Sequence, residues 1–81
     1  MNCLDGKLNV RWEHDYKGKR TFCIIKYNGD RIIALSKCHK QDVYDKAIGR
    51  KLSLARVLMF GYFNKDERTT VWKEYFKYCN E

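Results

Sequence analysis

The segment Tyr27-Asn28-Gly29-Asp30, set between two apolar runs, constrains this fold more than any other part of the chain. A type I′ turn needs positive φ at both central positions, and Asn-Gly accepts that at least cost. Residues 20–27, rich in Thr, Phe, Ile and Tyr, therefore predict one strand, and residues 31–38 its antiparallel return. A two-residue turn also fixes register: Tyr27 faces Asp30, Ile25 faces Ile32, and Cys23 faces Ala34. Upstream, Leu8, Val10 and Trp12 alternate with Asn9, Arg11 and Glu13, the period of a strand with one buried face. Residues 15–19 read as the turn between them.

Strand alternation sorts the side chains of the hairpin into two sets. Arg20, Phe22, Ile24, Lys26, Arg31, Ile33, Leu35 and Lys37 share one face; Thr21, Cys23, Ile25, Tyr27, Ile32, Ala34, Ser36 and Cys38 share the other. The first set has the larger apolar groups, so it is the expected core, with its four bases reaching solvent at the strand ends. One helix layer covers only one face. Ile25, Tyr27, Ile32 and Ala34 are then the expected protein-contact face, for a partner or a second copy of the chain.

The period changes after the sheet. Asp42 is a candidate helix cap. Tyr44, Ile48, Leu52, Ala55 and Met59, widened by Leu58, trace one helical face, and Gly61 is a plausible stop. Asn64 and Glu67 have capping-box spacing, and Val71, Trp72, Tyr75, Phe76 and Cys79 form the apolar face of a second helix. The expected fold class is α+β: a three-stranded antiparallel β-meander followed by two helices, β-β-β-α-α, in a single domain over 1–81.

Composition narrows the function classes. The chain of 81 residues has a formal charge of +7. Residues 1–40 hold nine Lys/Arg against four Asp/Glu, residues 41–60 four against two, and residues 61–81 four against four. The basic excess favours an anionic partner, either nucleic acid or an acidic protein surface, while a solvated face that maintains solubility is the plain alternative. Lys37, His39, Lys40, Lys46 and Arg50, with Arg56 at the flank of the helix, form the candidate anion or nucleic-acid patch. For Arg56 the ordinary alternative is an ion pair or a strand carbonyl, and for Gly49 it is close helix–sheet packing.

Four cysteines without a Cys-x-x-Cys pair, and two histidines at no metal spacing, predict free thiols and no cofactor or metal. Cys38 and His39 are adjacent in an extended segment, so their side chains diverge. No Ser-His-Asp set, paired-carboxylate site or Gly-rich phosphate loop is present, and the expectation is a protein that is not an enzyme. The N-terminal segment Met-Asn-Cys-Leu-Asp-Gly has no apolar core and no run reaches spanning length. The expectation is a cytoplasmic protein without membrane contact.

Asp42, Ile48, Gly49, Leu52, Ala55, Arg56 and Leu58 fit the pattern D-x5-I-G-x-x-L-x-x-A-R-x-L. This pattern resembles a bacterial family of unknown function described as double-stranded-RNA-binding-domain-like. It also resembles small phage proteins that share a strand, a Cys-x-x-x-Asp turn, here Cys38 to Asp42, and this helix. The resemblance spans roughly residues 20–60 and implies a β-β-β-α core. It implies a phage-type accessory protein that binds and inhibits or redirects a host protein or nucleoprotein machine, for example an anti-defence or anti-CRISPR type inhibitor. The alternative is a basic module for double-stranded RNA or DNA; fold does not decide between them.

Overall fold

The computed structural model describes residues 1–39 and 41–79. Four antiparallel strands, β1 (Asn2–Cys3), β2 (Leu8–Asp15), β3 (Arg20–Tyr27) and β4 (Asp30–Lys37), lie in the order β1-β2-β3-β4. Two helices follow, α1 (Lys46–Leu58) and α2 (Lys65–Cys79). Asn28 and Gly29 take φ of 50° and 85°, as the primed turn requires. The β3–β4 register pairs Tyr27 with Asp30, Ile25 with Ile32 and Cys23 with Ala34.

The sheet has four strands where the sequence predicts three. β1 is only two residues long and carries no periodicity. Leu4, Asp5 and Gly6 all have positive φ, which folds β1 back on β2. The Met1 ammonium and backbone exchange hydrogen bonds with Val10 at 2.8 Å. Asp5-Gly6 is itself a hairpin signal, and it marks this turn.

The helices cover the face opposite to the expected one. Leu8 and Val10 of β2, Cys23 and Ile25 of β3, and Ile32 and Ala34 of β4 meet Leu54, Val57 and Leu58 of α1 and Val71 and Tyr75 of α2. Two physical reasons decide this. The other face would put Arg20, Lys26, Arg31 and Lys37 beneath helices, at a desolvation cost its larger apolar groups do not offset. The chosen face has small side chains at Cys23, Ala34, Thr21 and Ser36, which let α1 approach the sheet closely.

Gly49 makes that approach. A Cβ there would overlap the Thr21 hydroxyl and lie 2.9 Å from its Cβ. Its packing role is therefore visible in the geometry. One turn later Ser53 is fully buried, with its hydroxyl donating to the Gly49 carbonyl at 2.7 Å. The buried stripe of α1 is thus Gly49, Ser53, Leu54, Val57 and Leu58. The expected stripe is rotated toward solvent, leaving Ile48 58%, Leu52 48% and Met59 79% exposed.

Asp45, not Asp42, caps α1; its carboxylate accepts from the amides of Ala47 at 2.8 Å and Ile48 at 3.4 Å. The capping box of α2 is present: the Glu67 amide donates to Asn64 Oδ1 at 2.8 Å and the Asn64 amide to Glu67 Oε1 at 3.0 Å. Glu67 also accepts from the Tyr27 hydroxyl at 2.6 Å, tying the start of α2 to the β3–β4 turn. Among the described residues, no helix is long and apolar enough to cross a membrane.

Candidate functional site: the open sheet face

With the helices on one side, the other side of the sheet is bare. Its side chains are set by strand alternation. Phe22 and Ile24 of β3 stand in register with Leu35 and Ile33 of β4 and form an apolar centre. Ile33 is 50% and Leu35 40% exposed, while Ile24 is nearly buried between its register neighbours Arg11 and Ile33.

Cations frame that centre. Arg20 lies opposite Lys37 at one end and Lys26 opposite Arg31 at the other; Arg11 adds a fifth from β2. Like charges directly across a ladder are destabilising. Acids of the same face offset only part of this. Arg20 pairs with Asp15 at 2.6 Å, which holds the Asp15 carboxyl below its ordinary range, and Arg11 approaches Glu13 at 3.6 Å. Among the described residues, Lys26, Arg31 and Lys37 have no ion pair. The Arg20 guanidinium also sits 5.7 Å from the Phe22 ring centroid, covering the aromatic.

The expected contact face does not exist as a surface. Ile25 is fully buried, Ile32 is 9% exposed, and Ala34 is buried beneath α1. Tyr27 is half-buried against Phe63, with its hydroxyl on Glu67. These four side chains are core or core margin and do not form the open face of the sheet.

The expected anion patch is dispersed. Lys37 and His39 are exposed at the end of β4, and Lys40 lies outside the described residues. Lys46 extends over the Tyr16 ring, 5.1 Å from its centroid. Arg50 turns inward instead of joining Lys46 on the surface, and its Nε is buried without a hydrogen-bond partner among the described residues. Arg56 crosses to the strand edge and donates from Nη1 to the Leu35 carbonyl at 2.7 Å. It therefore takes the strand-carbonyl role.

The structure adds Arg11, Arg20, Lys26 and Arg31 to the candidate site, with Phe22, Ile24, Ile33 and Leu35 between them. The signal was present in the sequence: one face of the hairpin carries four bases and the other none.

A polar knot lies at the far end of the sheet, on the helix side. The Tyr44 hydroxyl donates to the Arg20 carbonyl at 3.0 Å, leaving its oxygen to accept from Thr21 at 2.6 Å and from His14 Nδ1 at 2.9 Å. Burial, with Lys46 and Arg50 nearby, lowers the His14 pKa from 6.5 and favours the neutral ring. These bonds anchor the segment before α1 onto β2 and β3. Burial pushes the Cys23 thiol up to about 12, so it is a poor nucleophile. Among the described residues, no three His, Cys, Asp or Glu side chains gather as a metal site.

No protein-family model, curated protein or solved structure matches this chain.

Proposed function

We propose that this chain is a non-catalytic accessory protein that docks its open sheet face onto an acidic surface of a larger protein or nucleoprotein machine, blocking or redirecting it. The observation that carries this reading is the apolar centre of Phe22, Ile24, Ile33 and Leu35 inside a frame of Arg11, Arg20, Lys26, Arg31 and Lys37. An apolar centre with a charged rim is the anatomy of a protein interface: desolvated anchors supply affinity and the rim steers encounter. A partner with an acidic rim would relieve the like-charge pairs at both ends of the hairpin. The pattern in residues 42–58 that resembles small phage proteins supplies the class of target, a host machine met in the cytoplasm.

A second reading follows from the same three unpaired bases, Lys26, Arg31 and Lys37. In it the face binds nucleic-acid phosphates, in keeping with the double-stranded-RNA-binding-domain-like pattern. Phe22 is the one aromatic among the hairpin side chains of this face, and Arg20 covers it, so base stacking has little to work with.

The readings separate in one experiment. The tagged chain and its Leu35→Glu variant are used to capture partners from bacterial lysate with and without nuclease, and both are titrated with duplex RNA and DNA. Protein docking predicts a capture that survives nuclease and is lost in Leu35→Glu. Phosphate binding predicts nuclease-sensitive capture and a duplex affinity falling with salt at a log–log slope of about −3 for three neutralised phosphates. The second result would replace the first reading.

A further inference from the structure

We propose that β4 accepts a β-strand from the partner protein, which extends the sheet and presents acidic–x–apolar–x–apolar–x–acidic side chains on the open face. The proposal rests on the docking reading above and adds the conformation and register of the docked segment.

The first ground is the backbone of β4. A two-residue turn is closed by the pair Tyr27 and Asp30, which exchange hydrogen bonds, so alternate residues of β4 bond to β3. The Cys38 amide donates to the Lys19 carbonyl at 2.7 Å and continues that set past the end of the strand. Arg31, Ile33, Leu35 and Lys37 therefore direct their amides and carbonyls away from the sheet. The Arg56 guanidinium on the Leu35 carbonyl marks that outward direction. β4 is the last strand in the sheet order and eight residues long, and a strand added along it takes the Leu35 carbonyl by displacing the exposed Arg56 guanidinium.

The second ground is that apolar side chains are exposed on both sides of this one edge. Ile33 and Leu35 lie on the open face. Ile48 and Leu52 lie on the flank of α1, where they line a cleft of about 380 Å³ together with Ser36 and Lys37. A strand added about 4.8 Å beyond β4 sends alternate side chains to opposite faces. It would cover Ile33 and Leu35 with one set and Ile48 and Leu52 with the other. A partner surface laid flat on the open face would leave the α1 flank wet.

Charge selects the occupant. The outward residues of β4 read base, apolar, apolar, base from Arg31 to Lys37. A second copy pairing antiparallel in the register that matches all four outward residues would set Arg31 against Lys37 of the other copy, twice, and like charges so placed repel. A strand with acids at both ends forms two attractive pairs instead. The sequence pattern is the same in either direction, so a parallel or an antiparallel strand satisfies it.

The test uses the full-length chain, isotope-labelled for NMR, and a capped peptide Ser-Glu-Thr-Val-Val-Ile-Thr-Glu-Ser. Two further peptides carry N-methyl groups on one or the other alternate set of amides. Strand addition predicts shifts of the Arg31, Ile33, Leu35 and Lys37 amides and slower exchange of their hydrogens. One N-methylated peptide should bind as the parent does, and the other should lose at least about tenfold in affinity. The double variant Arg31→Glu/Lys37→Glu should reject the acidic peptide and bind its Lys-ended counterpart. Equal binding of both N-methylated peptides, with shifts confined to Phe22, Ile24, Ile33 and Leu35 side chains, would overturn strand addition while leaving face docking in place. Failure of all three peptides to bind, or dimerisation of the chain through β4, would overturn it as well; face docking is then judged by the capture experiment alone.

Discussion

Gly49 shows how one residue can invert an ordinary expectation. Gly→Ala in a helix interior normally stabilises by about 1 kcal/mol. Here the added methyl meets Thr21, so Gly49→Ala should destabilise by about 1–3 kcal/mol, the scale of an overpacked core. Urea denaturation measures this, and the cost should shrink in a Thr21→Ala background, where the overlapping hydroxyl is gone. Equal costs in both backgrounds would place the clash elsewhere. His14 makes a pH-dependent prediction. Its folded pKa is depressed, so below pH 6.5 the unfolded chain binds the proton more readily than the folded one. Stability should be highest above pH 6.5 and fall as pH drops from there through the folded value. Melting temperatures between pH 7.5 and about 5, with the ring titration followed by NMR, check the sign. Gly49 was legible in the sequence as a packing glycine. The His14–Thr21–Tyr44 knot was not, because it joins residues 30 positions apart through hydroxyls that periodicity treats as neutral.

At the scale of elements, β4 divides its work by alternate positions. Ile32→Lys would place an ammonium beneath α1 and should unfold the domain, since an uncompensated buried charge costs several kcal/mol against a total stability of about 5–15. Ile33→Lys, one residue away, should leave the fold and its melting temperature nearly unchanged. Circular dichroism of both variants decides, and a folded Ile32→Lys beside an unfolded Ile33→Lys would mean that the core lies on the other face. The hairpin register was legible because Asn28-Gly29 admits one turn geometry. The buried face was not, because side-chain volume favours one face while the desolvation of Arg20, Lys26, Arg31 and Lys37 favours the other. The rotation of α1 is hidden from hydrophobic periodicity for a related reason. Its core stripe begins with Gly49 and Ser53, which count as breaks in a hydrophobic pattern although their small size is what seats the helix.

For the whole molecule, the tie between Tyr27 and Glu67 spans 40 positions and joins the hairpin tip to the start of α2. The Tyr27 hydroxyl and the Asn64 amide both donate to Glu67, which lowers its pKa from 4.5. A depressed carboxylate contributes stability above its unfolded pKa and loses it as pH falls through the folded value. Glu67→Gln keeps an acceptor for the cap but gives up the charge, so it should destabilise near pH 7 and progressively less as pH falls below 4.5. Chemical denaturation at two pH values reads the difference, and a cost independent of pH would remove the carboxylate from the account. Such a tie is invisible to local patterns; only the capping box half of it, Asn64 and Glu67, was open to reading from sequence.

The alternation along β4 has a consequence for inheritance. Ile32, Ala34 and Ser36 answer to the core, while Arg31, Ile33, Leu35 and Lys37 answer only to whatever lies outside. On the docking reading proposed above, a single-residue change at one of the latter positions would alter recognition without altering the fold, whereas a change at one of the former disturbs the fold itself. If that reading holds, a lineage could rewrite one column of this strand and leave the neighbouring column intact, each step passing through a folded intermediate.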